Sequence, residues 1–320
     1  MAATPPPSSL NFCTLLTETK RIVGAHSRHF LALSLLFLLP IPFSSVLCHS
    51  LLSHYPTNSQ QFFLTSHSTP LPAMPLLLAL AFALFVLLFS LFALASITYS
   101  VFHAFYGRPV KFLSAVNSIR VSFWPLLGTA LASLLVFSLV LIVAGLFLFL
   151  MIGGFEMFGF EMEVVSPYCV GLFIVCLAVA VLYLQLNWTL AGVVAVVEPR
   201  WGFDALSRSA SLIKGMRGVA VSLIVFFHFF GFCSGMSWWS VYLKREWDVS
   251  GNVVQIVCYS MGAMVMLLYH LAANTVLYMY CKAVHGELAL EIAEEFASEY
   301  VSLPFDDGKV PHVVSVAYVQ

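Results

Sequence analysis

Six long apolar spans, with twelve of the fourteen Lys and Arg gathered on one side of them, constrain this chain more than any other feature. A helix rises 1.5 Å per residue, so about 20 consecutive apolar residues are needed to cross the hydrocarbon of a bilayer. Six stretches meet that length, roughly residues 30–48, 76–102, 125–152, 168–197, 218–243 and 253–284. Only 9% of residues are charged, against about a quarter in soluble domains. The expected fold is all-α, a polytopic helical membrane protein with about six transmembrane helices. The first span is the weakest, because Pro40 and Pro42 interrupt it. The 29 residues ahead of it are long for a signal sequence and no clean A-x-A site follows, so it reads as a retained span.

The charges set the orientation, because Lys and Arg accumulate in cytoplasmic connections. Lys20, Arg21 and Arg28 precede the first span; Arg108, Lys111 and Arg120 join the second to the third. Arg200, Arg208, Lys214 and Arg217 join the fourth to the fifth, Lys282 closes the sixth, and Lys309 follows. On the other side, 49–75 has no charge, Glu156, Glu161 and Glu163 lie between spans three and four, and Lys244 and Arg245 are balanced by Glu246 and Asp248. Both termini are expected in the cytoplasm, in the endoplasmic reticulum or plasma membrane. The chain divides into an N-terminal arm (1–29), a six-span membrane domain (30–284) and an acidic cytoplasmic tail (285–320). The sole N-x-S/T sequon, Asn187-Trp188-Thr189, is buried within span four, which predicts no N-glycosylation.

Two basic connections read as amphipathic helices at the interface. In 199–217, Phe203, Leu206, Ala210 and Ile213 recur at helical spacing, with Asp204, Ser207, Arg208, Ser211 and Lys214 on the other side. Asp204 and Arg208 are spaced to pair, and Lys214-Gly215 reads as a helix end. Such a helix, with Arg208, Lys214 and Arg217 toward water, lies in the headgroup boundary, and Trp201 anchors its start. In 109–123, Pro109 opens a second helix whose stripe is Phe112, Val116, Ile119 and Phe123, with Lys111, Ser114 and Ser118 off it. Spans two and three with their connector therefore read either as a parallel repeat of spans four and five with theirs, or as ordinary basic connections.

The run Val196-Val197-Glu198-Pro199-Arg200-Trp201-Gly202-Phe203-Asp204-Ala205-Leu206-Ser207-Arg208-Ser209, followed by Leu212-Ile213-Lys214-Gly215, resembles the signature of a group of uncharacterised six-span membrane proteins. That group is related to the membrane domain attached to some glycerophosphoryl diester phosphodiesterases. The Pro-rich start and the tail from Asp306 to Val316 resemble its plant branch. The resemblance implies architecture only, since the catalytic barrel of those phosphodiesterases has no counterpart in this sequence.

No ionised side chain lies deep in any span, which disfavours an ion- or proton-coupled transporter built on a buried acid. The polar residues inside the spans are Gln185, Asn187, His228, Gln255, His270 and Asn274. His270 and Asn274 are i,i+4 and share a face of span six. With Gln185 and Asn187 of span four they read as the lining of a small polar cavity, or more plainly as hydrogen bonds that hold helices together. His270 has the side chain that changes charge near neutral pH. His228, alone among Phe226, Phe227, Phe229 and Phe230, reads as structural. Gly231 and Gly235 make a G-x-x-x-G that reads as close packing within the chain, with a dimer face as the alternative.

Enzyme signals are missing. There is no H-E-x-x-H, no G-x-S-x-G and no phosphate-cradling Gly loop, and the seven Cys form no C-x-x-C. No cofactor, metal or nucleic acid is expected. The tail carries Leu288, Ile292, Phe296 and Tyr300 every four residues with Glu287, Glu291, Glu294, Glu295 and Glu299 on the other faces, an acidic amphipathic helix for docking on the basic connections or on a protein partner. The leading expectation is a non-enzymatic membrane protein that organises other membrane or cytoplasmic proteins through this face, with the bilayer as its constant partner. The alternative is a facilitative carrier or channel for a small neutral or lipidic molecule.

Overall fold

The structure is a computed structural model and describes residues 11–53, 73–157, 162–243 and 249–289. The 244–248 turn, most of the neutral 49–75 connection and the tail beyond Ala289 lie outside the described residues, and with them most of the expected tail helix. Every described element is helical: α1 Phe12–Ala25, α2 Ser27–Leu33, α3 Pro40–Ser53, α4 Ala73–Phe105, α5 Phe112–Met157, α6 Met162–Trp188, α7 Ala191–Val197, α8 Phe203–Leu212, α9 Arg217–Leu243 and α10 Val249–Val284. Six of the resulting rods are long and apolar enough to cross a membrane, from Ser27–Cys48 to Val254–Val284. The all-α, six-span architecture expected from the sequence is therefore the one observed.

The two prolines of span one do not break it. Pro40 has no N–H to give to the carbonyl four residues back, and its ring crowds that carbonyl. The chain answers with a π turn over Ser34–Leu38, in which the Leu39 N–H reaches back five residues to the Ser34 carbonyl at 2.9 Å. That wider turn makes room for the ring, and α3 begins at Pro40.

The basic arm is also more than an arm. Its residues 12–25 fold as α1, and Leu15, Thr19, Ile22 and Val23 are buried at helical spacing in the common core. α1 packs on α10, whose stretch from Ala272 to Cys281 is almost wholly enclosed. A helix apolar on every side is a central strut, and α10 fills that role here. α4 contributes Leu91 to Val101 to the same core.

The core is not centred in the membrane. It lies toward the end that carries the basic connections, where α1, the π turn, α7, α8 and the adjacent ends of α4, α9 and α10 meet. At the opposite end the rods stand apart: Met74 to Leu88, Leu131 to Met151, Leu172 to Tyr183 and Phe229 to Met236 expose apolar side chains. Lipid is as apolar as Leu, so no hydrophobic force draws these ends together.

The separate interfacial helix expected over 109–123 does not form. Residues from Phe112 continue without a break into the 46-residue α5, with Pro125 inside it. Proline is tolerated within membrane helices because neighbouring groups take up the freed carbonyl. The buried side is also rotated from the expected stripe, to Ala115, Ser118, Ser122, Leu126 and Thr129. Small residues let α5 approach α4 closely, while Leu113 and Trp124 face outward.

Candidate functional site

Among the described residues, span four is the rod that breaks. α6 ends at Trp188 and α7 starts at Ala191, which leaves the Asn187 carbonyl and the Leu190 N–H without helical partners. One hydroxyl serves both: Ser209 Oγ donates to the Asn187 carbonyl at 2.7 Å and accepts from the Leu190 N–H at 3.1 Å. Ser209 is fully buried. It comes from α8, so the short helix of the signature run splints the break rather than lying free at the interface.

α8 is fixed at its start as well. Gly202 has φ 64° and ψ −132°, a backbone state that side chains resist, and its N–H donates to Thr129 Oγ1 of α5 at 3.0 Å. Trp201 lies so close over Gly128 that an added Cβ there would sit 2.8 Å from the indole. The buried face of α8 is Ala205, Leu206, Ser209 and Leu212, continued by Ile213, while Phe203 and Trp201 are exposed. Of the expected stripe, Leu206 and Ile213 face the core, Ala210 is half-buried and Phe203 points out.

Arg208 does not face water or pair with Asp204. It is 18% exposed, and its Nε donates to both Glu198 carboxylate oxygens at 3.3 and 3.2 Å. Its Nη2 bonds the Glu287 carboxylate, at the first residues past span six. Glu198 also accepts from the Tyr278 hydroxyl at 2.9 Å and lies 3.6 Å from Arg200 Nε. The hydrogen bond to Glu287 chiefly raises the pKa of Arg208 further, with burial opposing it. The same bond holds the Glu287 carboxyl below its ordinary range. The expected contact between the tail's start and a basic connection is thus made by Arg208. Lys214 and Arg217 lie at the ends of the same connection, in the 3-10 turn Ile213–Gly215 and at the start of α9.

Above α8, toward the open end, lies a partly open cavity of about 400 Å³, walled by α4, α5, α6, α7, α9 and α10. Gln185, His270 and Asn274 line it, as the sequence reading proposed. Asn187 does not: its side chain turns back to the Tyr183 carbonyl of its own helix at 2.8 Å. His228, read from sequence as structural, belongs to the wall, with Nε2 at 2.9 Å from Gln185 Nε2. Asn274 Nδ2 meets His270 Nε2 at 3.2 Å, and the ring of Phe227 lies 5.0 Å from that of His270. His270 also borders a second cavity of about 370 Å³ between spans one, two, five and six. Among the described residues, no Lys, Arg, Asp or Glu lines either cavity and no cluster of metal-ligating side chains occurs.

Nothing in the sequence tied His228, read as structural, to the cavity, because its partner Gln185 is 43 residues away. Ser209 was equally hidden, since only the break in span four gives a buried hydroxyl there something to do. The G-x-x-x-G reading of close packing within the chain is corrected: among the described residues no atom beyond the helix lies within 4 Å of a Cβ built at Gly231 or Gly235, so α9 makes no close approach to another described helix there.

These features define a class, an all-α multi-pass membrane protein with an uncharged cavity beside a broken span. A family model for a domain of unknown function (DUF8558) matches residues 9–309, and the chain belongs to that family. No curated protein and no solved structure matches it.

Proposed function

We propose that this protein is a non-enzymatic, multi-pass membrane protein that binds a small neutral or lipidic molecule and carries it within the bilayer. One observation carries the reading: a cavity of about 400 Å³ is lined by polar side chains from spans four, five and six and by no charge. That volume lies in the range of small-ligand pockets, and the mixture of apolar walls with a few convergent polar groups is their usual composition. A diazirine-bearing uncharged lipid analogue, added to the full-length protein in vesicles, tests it. Cross-links are expected within 185–192, 224–228 and 270–274. Cross-links confined to the outward-facing 139–151 would mean that only surrounding lipid is contacted, and would refute the reading.

The Arg208–Glu287 bond favours a second role beside it, the organisation of other proteins through the tail, because it fixes the direction in which the tail leaves the membrane domain. Proximity labelling from a C-terminal fusion should give partners that vanish when residues 285–320 are deleted; an unchanged set removes this role. The finer assignments belong to the same proposal. The basic connections support cytoplasmic termini, in the endoplasmic reticulum or plasma membrane. Exposed Trp201 and Phe203 support an α8 that touches the headgroup boundary. The run 196–215 supports a tie to the phosphodiesterase-related group, and the Pro-rich start with the tail from Asp306 to Val316 supports its plant branch.

A further inference from the structure

Resting on the carrier reading, we infer that the ligand is a long-chain amphiphile with an uncharged head, held with its head in the cavity of about 400 Å³ and its acyl chain between spans three and four. The observation behind it is a second space on the same rods. Where α5 and α6 stand apart toward the open end, they border a gap of about 740 Å³ whose wall is apolar throughout, Cys176 included. The gap continues the cavity. On α5 one stripe at three- and four-residue spacing serves both: Ala130, Ser133 and Phe137 line the polar cavity, and Val140, Ala144 and Leu148 line the gap. On α6 the lining passes from Val181 in the cavity to Ala180 in the gap, so both rods change from one lining to the other within a turn.

Polarity changes where the lining does. Gln185, Thr189, His228 and His270 stand on the cavity side, and among the described residues no Lys, Arg, Asp or Glu lines either space. A charged head would lose its hydration there without a counter-charge, so the head that fits is polar and uncharged. The gap fits its chain. Phe137 and Met151 are fourteen residues apart on α5, about 21 Å at 1.5 Å per residue, the extended length of about sixteen carbons. Surrounding lipid does not satisfy the same pattern. A lipid with its head at the membrane surface of the open end runs the other way, and brings only its methyl end to Gln185 and His228. The direction of the chain therefore separates a bound ligand from the bilayer around it.

The test uses the full-length protein in phosphatidylcholine vesicles and two photoreactive forms of 1-palmitoylglycerol, one with its diazirine beside the ester and one with it at the chain's end. The ester-side probe should label 133–137 and 181–185. The chain-end probe should label 144–151 together with 172–177, and excess unlabelled 1-palmitoylglycerol should suppress both. Ala144→Trp fills the gap half-way, so 1-palmitoylglycerol should compete about ten-fold less well, as chain burial is lost. The shorter 1-octanoylglycerol stops before that position and should compete as before; equal losses for the two would overturn the chain's placement. If the variant does not fold, the labelling of the unaltered protein still decides. Labels in the reverse order, or labels that excess lipid does not suppress, would come from surrounding lipid and overturn the inference. Ester-side labels in the cavity with chain-end labels away from the gap would overturn it and leave the carrier reading standing. Absence of both probes from 133–137, 181–192, 224–228 and 270–274 would overturn the carrier reading as well.

Discussion

Ser209→Ala is the most direct trial of how the fold is held together. The substitution removes one oxygen and strands two buried backbone groups, the Asn187 carbonyl and the Leu190 N–H. Each buried group left without a partner costs about 1–3 kcal/mol, and local relaxation at the break recovers part of that. A loss of about 2–4 kcal/mol is expected. Equilibrium unfolding by SDS in mixed micelles reads it, with Ser211→Ala as the control. Ser211 is exposed, and its hydroxyl serves only the Arg208 carbonyl at 2.7 Å, so its loss should fall within about 0.5 kcal/mol. Should Ser209→Ala also fall within that margin, the break in span four would not depend on α8, and the argument for α8 as a splint would fail.

Three further outcomes are expected. The Glu287 carboxyl is held low by Arg208, so its ion pair adds stability above the ordinary carboxylate value of about 4.3 and loses it as pH falls through the depressed value. Melting profiles against pH should therefore fall more steeply at the acid end for the unaltered protein than for Glu287→Gln; superimposed profiles would refute the linkage. Gly202→Ala forces a side chain into φ 64°, ψ −132° and should cost about 1–3 kcal/mol. Gly218→Ala, in open helical space, should cost nothing measurable, and equal losses would refute the strain argument. Gly231→Ala and Gly235→Ala should leave stability within about 0.5 kcal/mol, since nothing lies near either Cβ position; a larger loss would reveal a neighbour beyond the described residues.

The spans were legible in the sequence because hydrocarbon thickness dictates their length, and span boundaries follow from composition alone. Facing was less legible. Amphipathic logic turns large apolar residues inward, which holds when water is outside. Here Phe203, Leu113 and Trp124 face outward, while Ser209, Ser118 and Ser122 face inward. In lipid, small size and hydrogen bonding decide what packs. α1, which the sequence reading left within the N-terminal arm, follows the ordinary rule, with Leu15, Thr19, Ile22 and Val23 buried at helical spacing. In the cavity, the i,i+4 spacing of His270 and Asn274 gave one wall. The opposite wall depended on which turn of span five meets Gln185, and single-chain spacing contains no measure of that.

The uneven placement of the core has a consequence for how membranes act on this protein. At the basic end the helices are one another's neighbours, whereas at the far end the lipids are. A bilayer of different thickness works on rods that do not match it by tilting them, and here the far halves of spans two to five, among them those of spans three and four exposed from Leu131 to Met151 and from Leu172 to Tyr183, are the parts free to tilt. The cavity floor at Asn274 and Gly192 is held by packed protein, and its mouth by hydrocarbon. Membrane thickness is therefore expected to set the width of the mouth independently of the chemistry of the floor.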